Sequence, residues 1–157
     1  RFPEAELEIV GGGESHNLKT LADELGVAER VRFTGRQTDI RKRLLNYSVC
    51  LLTSESEGLS NSIIEYQLAG RAVICSDTGG NPELVKHGET GLLYQMGDID
   101  GLASNLETLL SDTDLRQRLG KAAQRAAKQR FSVERMARQH MELYSALMEP
   151  KANPEFL

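Results

Sequence analysis

VCLLTSESEGLSNSIIEYQLAG, residues 49–70, reads as a strand, a polar turn and a helix in immediate succession. Val49 to Thr53 is a near-continuous apolar run, as expected of a strand covered on both faces. Ser54 to Ser60 is polar and holds one glycine, Gly58. From Asn61 to Ala69 the pattern turns helical, with Ile64 and Leu68 one turn apart and Gly70 as the stop.

The same alternation extends in both directions. Upstream, Leu7 to Val10 is a strand candidate that ends at Gly11-Gly12-Gly13. Leu18, Leu21, Ala22 and Leu25 then recur at helical spacing before Gly26, and Val31 to Thr34 is a second strand closed by Gly35. Asp39 to Asn46 predicts a short helix. Downstream, Ala72 to Cys75 is a strand, and Pro82 to Lys86 a short helix with Asn81 as cap and Pro82 in its first position. Leu92 to Tyr94 is the last strand. Three helices follow: Asp100 to Leu110, a longer one capped by Asp112 or Thr113 and reaching Gln129, and one capped by Ser132. The last carries Met136, His140, Tyr144 and Leu147 along one stripe. Strand–helix alternation of this kind predicts an α/β fold, a parallel sheet with helices on both faces. Ligands of such sheets bind beyond the carboxyl ends of the strands. The loops that matter are therefore 11–15, 35–38, 54–61 and 76–81.

Composition narrows the function classes. The 157 residues suffice for one domain with a real core, and 39% hydrophobic with 27% charged residues is ordinary for a soluble globular chain. A net charge of -4 argues against a general nucleic-acid binder. No apolar run approaches the roughly 20 residues of a membrane span, and no signal-peptide pattern opens the chain. Cys50 and Cys75, both inside apolar runs, read as buried thiols of a reducing compartment. His16, His87 and His140 are scattered, so no metal site is expected.

Chemistry concentrates at the turn before the helix of residues 61–69. Unpaired N–H groups at a helix start attract anions, and Gly58 lets a ligand approach the backbone. Glu57 and Glu65 are eight positions apart, and carboxylates suit vicinal hydroxyls of ribose or a hexose. Spacing alone leaves two readings open, since Glu57 equally suits a helix N-terminus and Glu65 an exposed helical face. The triple glycine at 11–13 is a poor dinucleotide fingerprint, because the third glycine of Gly-x-Gly-x-x-Gly would fall at His16. The basic run Arg116, Arg118, Lys121, Arg125, Lys128 and Arg130 reads as a solvated helix face, with contact to an anionic membrane as the rival.

Several motifs in order carry a family resemblance. The segment from Glu57 to Gly70 resembles the Glu-x7-Glu signature of retaining GT-B glycosyltransferases, especially family 4. Leu7 to Gly13 resembles that family's strand-and-glycine turn, and Val31 to Gly35 its next strand. Asp77 to Val85 is similar to its Gly-Gly-x-Pro-Glu turn, Gly88 to Leu93 to its Gly-x-Thr-Gly hairpin, and Arg130-Phe131-Ser132 to its late helix start. The resemblance implies a Rossmann-like donor domain that binds a nucleotide-diphosphate sugar for transfer to an acceptor hydroxyl in polysaccharide biosynthesis. It implies that Glu65 holds the ribose hydroxyls and that Glu57, the catalytic candidate, meets the donor sugar. The backbone of Gly58, Leu59, Ser60 and Asn61 is then expected near sugar and diphosphate, with Arg36 and Gln37 near the base. Leu59 and Ser60 replace the usual Phe and Gly, Tyr66-Gln67 the usual Ala-Met, and Arg71-Ala72 the usual x-Pro. These departures imply a different sugar pocket and local repacking.

By the same resemblance no metal and no resident cofactor are needed, because an Arg and a Lys neutralise the leaving diphosphate. Those two residues belong to a first βα unit expected upstream of Arg1. The domain is expected over 1–150, with 151–157 as a loose tail and an N-terminal acceptor domain as partner within the same enzyme. The expected setting is cytoplasmic, with peripheral attachment at the inner membrane face as its variant. The fragment by itself is expected to be inactive. Two rivals stand beside this reading: the sugar-nucleotide domain of a GT-B-fold epimerase, and a non-catalytic α/β binding module.

Overall fold

The computed structural model describes residues 2–148, which form two compact units meeting between Lys42 and Arg43. The expected tail at 151–157 lies outside the described residues.

In the first unit, β1 (Leu7–Val10) pairs in parallel with β2 (Val31–Gly35), placing Leu7 beside Val31 and Ile9 beside Phe33. Between them run α1 (His16–Glu24) and one 3-10 turn, Ala28–Arg30. Gly26, at φ +66, stops α1 as the sequence predicts, because the left-handed region is cheap only for glycine. Arg30 donates to the Pro3 carbonyl at 2.8 Å, and Lys19 stands 5.6 Å over the Phe33 ring. The chain passes into the second unit through α2 (Ile40–Leu44), shorter than the expected 39–46. Single turns bonding Asn46 to Arg43 and Tyr47 to Leu44 take over from it.

The second unit is a parallel sheet in the order β3 (Val49–Leu52), β4 (Ala72–Ser76), β5 (Leu92–Tyr94). Side-chain alternation along β4 sends Ala72 and Ile74 to one face and Val73 and Cys75 to the other. The first face packs on Leu109 of α5 (Ile99–Ser111) and Leu119 of α6 (Thr113–Arg130). The second packs on Ile63 of α3 (Asn61–Leu68) and Leu84 of α4 (Asn81–Leu84). This is the expected α/β class, with helices on both faces of a parallel sheet, but the five strands fall into two sheets rather than one.

β3 is packed on both faces as expected, Val49 and Leu51 against the cluster on the α5 and α6 side and Leu52 against the cluster on the α3 and α4 side, but only Cys50 is fully buried. β3 is an edge strand, and β4, paired on both sides, is the fully buried one.

Helix caps set the remaining bounds. Asp98 accepts the Gly101 N–H and starts α5 one residue earlier than expected. Asp112 accepts the Leu115 N–H at 2.8 Å and starts α6. Ser132 caps α7 (Val133–Met148) through the Arg135 N–H. The expected stripe on α7 is wholly exposed, with Met136, Tyr144 and Leu147 each more than half accessible. Asn81 does not cap α4. Gly80 holds that position, and the Asn81 side chain turns inward to donate to the Ser76 carbonyl at 3.1 Å.

Candidate functional site

The carboxyl ends of β3 and β4 carry two loops that lock together. The first, residues 53–60, runs from β3 into α3. Ser60 is its last residue, and its buried hydroxyl accepts the Ile63 N–H at 3.4 Å, satisfying one of the orphan donors of the helix start. The Ile64 N–H reaches the Ser60 carbonyl at 3.3 Å and closes the first turn of α3. Ser54 donates to Glu57 Oε1 at 2.8 Å, which fixes that carboxylate beside the end of β3.

The second loop, residues 77–80, lies flat against the first. Gly80 N–H donates to the Glu57 carbonyl at 3.0 Å. A Cβ on Gly79 would meet that carbonyl oxygen at 2.2 Å, and one on Gly80 would meet the Gly58 carbonyl oxygen at 1.9 Å. Two consecutive glycines are therefore required by the backbone approach itself. Ser76 and Thr78 hydroxyls both donate to the Ser54 carbonyl, at 2.7 and 3.3 Å. Beneath them Asn81 is fully buried, its Nδ2 bound to Ser76 and its Oδ1 without a partner. Asp77 stays exposed and accepts from Gln95 at 3.0 Å.

On α3, Ile63 and Gln67 point into the core, and Gln67 donates to the Leu84 carbonyl at 2.7 Å. The opposite face therefore looks outward. Asn61 and Glu65, one turn apart, share it and are exposed, continuous with exposed Gly58 and half-exposed Leu59. Glu57, Gly58, Leu59, Ser60, Asn61 and Glu65 thus belong to one loop and the helix it starts. Arg36 and Gln37 lie in the first unit, just after Gly35 at φ +63. Arg36 is exposed, and Gln37 donates to the Thr34 carbonyl at 2.5 Å.

Sequence reasoning picked out the 76–81 loop without giving it this supporting role. The signal was the Gly79-Gly80 pair next to Asn81-Pro82. Both cysteines are free and buried. Burial pushes the Cys50 thiol up to about 12 against the opposing pull of Arg71, and the Cys75 thiol likewise to about 12, with Asp77 adding to the rise. Neither is a nucleophile at neutral pH. Among the described residues no helix is long and apolar enough to cross a membrane.

The family model described as Glycosyl transferases group 1 matches residues 1–126. The chain is 34% identical over 147 residues to the lipopolysaccharide core biosynthesis glycosyltransferase LpsE of Rhizobium meliloti, covering 93% of this chain and 43% of that one. It is 30% identical over 151 residues to N-acetyl-alpha-D-glucosaminyl L-malate synthase of Bacillus anthracis, covering 96% and 40%. Among solved structures, Anabaena Alr3699/HepE in complex with UDP superposes with a TM-score of 0.88 at 30% identity, over 92% of this chain and 42% of that one. The chain therefore spans about two fifths of the length of these relatives.

Proposed function

The chain belongs to the glycosyl transferases group 1 family, and from that premise we propose that it is the C-terminal donor domain of a retaining GT-B enzyme of family 4. Its donor is a nucleotide-diphosphate hexose, and the glycosyl group passes to an acceptor hydroxyl with retention of configuration. The observation that carries this reading is the locked double loop, which presents Glu57, the α3 start and Glu65 along one exposed rim at the carboxyl ends of β3 and β4.

In this assignment the Glu65 carboxylate accepts hydrogen bonds from the ribose hydroxyls. Glu57, fixed by Ser54, accepts from hydroxyls of the donor sugar and is the residue closest to the reacting carbon. The backbone of Gly58 to Asn61 and the N-terminal dipole of α3 face the diphosphate. Arg36 and Gln37 serve the base. Catalysis then consists of positioning and of stabilising charge on the departing diphosphate. The acceptor is held by a separate N-terminal domain of the same enzyme. No resident cofactor or metal is called for, and the setting is cytoplasmic, free or at the inner membrane face.

UDP is the first nucleotide to test, because HepE was crystallised with it. Calorimetric titration of the full-length enzyme with UDP is expected to show Glu65→Ala binding about 1–3 kcal/mol more weakly, the loss of a charged hydrogen-bond partner. The substitution leaves α3 intact, since Glu65 is exposed and Ala is the better helix former. Unchanged affinity for every nucleotide tried would return Glu65 to a plain surface role.

A further inference from the structure

At the opposite end of the second unit's sheet lies an open basin of about 430 Å³. Its walls come from three places. Tyr47 and Ser48 precede β3, Arg71 precedes β4, and Arg116, Gln117 and Lys121 lie on the first three turns of α6. Strands β3 and β4 are parallel, so these residues sit at their amino ends, whereas the Glu57 loop sits at their carboxyl ends. Five residues of β4 separate the two by about 16 Å at the usual rise per residue.

The basin has a charge opposite to that of the chain. The whole sequence carries -4, yet among the described residues the basin is lined by three cations and by no carboxylate. The two guanidiniums are held in place by backbone and hydroxyl oxygens rather than by acids. Arg71 Nε donates to the Ala69 carbonyl at 3.2 Å and its Nη1 to the Tyr47 carbonyl at 3.1 Å. Arg116 donates to the Leu109 carbonyl at 2.6 Å and to the Thr113 hydroxyl at 3.1 Å. A guanidinium has five N–H donors, so beside these bonds each has three more, and neither is paired with a carboxylate among the described residues. Of the two acids at the start of α6, Asp112 is turned to the Leu115 N–H, and Asp114 is exposed and does not line the basin. Elsewhere along the basic run of α6 the pattern differs, because Arg130 is paired with Glu83.

Close packing makes this arrangement rigid. A Cβ on Gly120 would meet the Gly70 carbonyl oxygen at 2.3 Å, so α6 lies directly on the turn that carries Arg71. Gln124 reinforces the contact by donating to the Leu68 carbonyl at 2.9 Å. The helix backbone that carries Lys121, next to Gly120, and Arg116, about one turn earlier, is thereby held across the basin from Arg71.

We propose that this basin binds a phosphate group, free or as part of a small phosphoester or a phospholipid headgroup, at a site separate from the donor loops. Two preorganised guanidiniums and one ammonium match an anion with three or more acceptor oxygens, and the Gln117 amide and Ser48 hydroxyl add neutral donors at the wall.

The test uses the full-length enzyme and two probes at constant ionic strength. In calorimetry with inorganic phosphate, saturable binding is expected. Lys121→Gln should weaken it about tenfold, the usual cost of one charge-assisted contact, while Lys121→Arg retains it. The double variant Arg71→Gln/Lys121→Gln should abolish it. Lys121 is exposed, so its single variants remain informative even if the double variant fails to fold. In co-sedimentation, vesicles of phosphatidylglycerol with phosphatidylcholine are compared with phosphatidylcholine alone. Phosphatidylglycerol-dependent sedimentation that Lys121→Gln lowers identifies a headgroup as the source. Phosphate binding without sedimentation identifies a soluble phosphoester. The proposal is overturned if neither probe binds, or if wild type and Lys121→Gln bind both equally.

Discussion

Replacing Gly80 by alanine probes the double loop most directly. The backbone of Gly80 sits at φ -83 and ψ 0, which alanine adopts freely, so the substitution carries no conformational penalty of its own. Its whole effect is steric. The new methyl would start 1.9 Å from the Gly58 carbonyl oxygen, whereas ordinary contact begins at 3.4 Å, so the loops must part by about 1.5 Å. That movement stretches the 3.0 Å bond from Gly80 N–H to the Glu57 carbonyl beyond any useful length. Overpacking costs about 1–3 kcal/mol and the lost bond about 1 kcal/mol, for a destabilisation of about 2–4 kcal/mol. The displaced segment contains Glu57 and Gly58, so donor affinity and turnover should fall with it, turnover by about a hundredfold if the carboxylate moves by an ångström. The assay pairs denaturant unfolding of the full-length enzyme with UDP titration, and Gly88→Ala serves as control. Gly88 has φ +76 with open space around its Cβ position, so its alanine variant should lose about 1 kcal/mol of stability and no affinity. Wild-type stability and affinity in Gly80→Ala would refute the interlocked loops as the support of the site.

Three further outcomes are expected. Ser60→Ala removes the cap of α3 and should lower stability by about 1 kcal/mol in thermal unfolding, with Ser60→Asp recovering part of it. Both thiols are raised from an ordinary 9.0 to about 12, so the folded state keeps protons that the unfolded chain releases. Their stabilising contribution is complete below pH 9.0 and is lost as the pH rises from there to about 12, and Ellman's reagent at pH 8 should label neither cysteine until denaturant is added. Finally, residues 1–157 alone should transfer no sugar from any nucleotide sugar to an acceptor hydroxyl, because the acceptor is not held and water is not excluded from the rim. Turnover by the isolated chain, followed by nucleotide release, would show that the active site has been misplaced.

Local chemistry made most elements readable in the chain alone. Leu7–Val10 and Leu92–Tyr94 end where their apolar runs end, and α3 starts at Asn61 because Ser60 offers a capping hydroxyl one residue before the helical period begins. The candidate rim was legible for the same reason, since a strand end, a glycine turn, a helix start and two glutamates all lie within nineteen consecutive residues, 52–70. Asn81 misled because a cap and a buried strut use the same short amide. Which role it takes depends on Ser76, on the strand before it, presenting a carbonyl and a hydroxyl to its Nδ2.

Sequence by itself therefore determined the element types, the α/β class and the placing of Glu57 and Glu65 around one helix start, because these follow from side-chain period and caps over a few residues. Tertiary structure alone decided that β4 rather than β3 is the buried strand, since burial follows the pairing order and not the apolarity of a run. It alone decided that Gly79 and Gly80 exist to admit the Glu57–Gly58 backbone, and that Arg71 faces Arg116 and Lys121 across one basin. Those contacts join residues more than twenty positions apart. A glycine or an arginine carries no mark of the partner it will meet until packing brings that partner within reach.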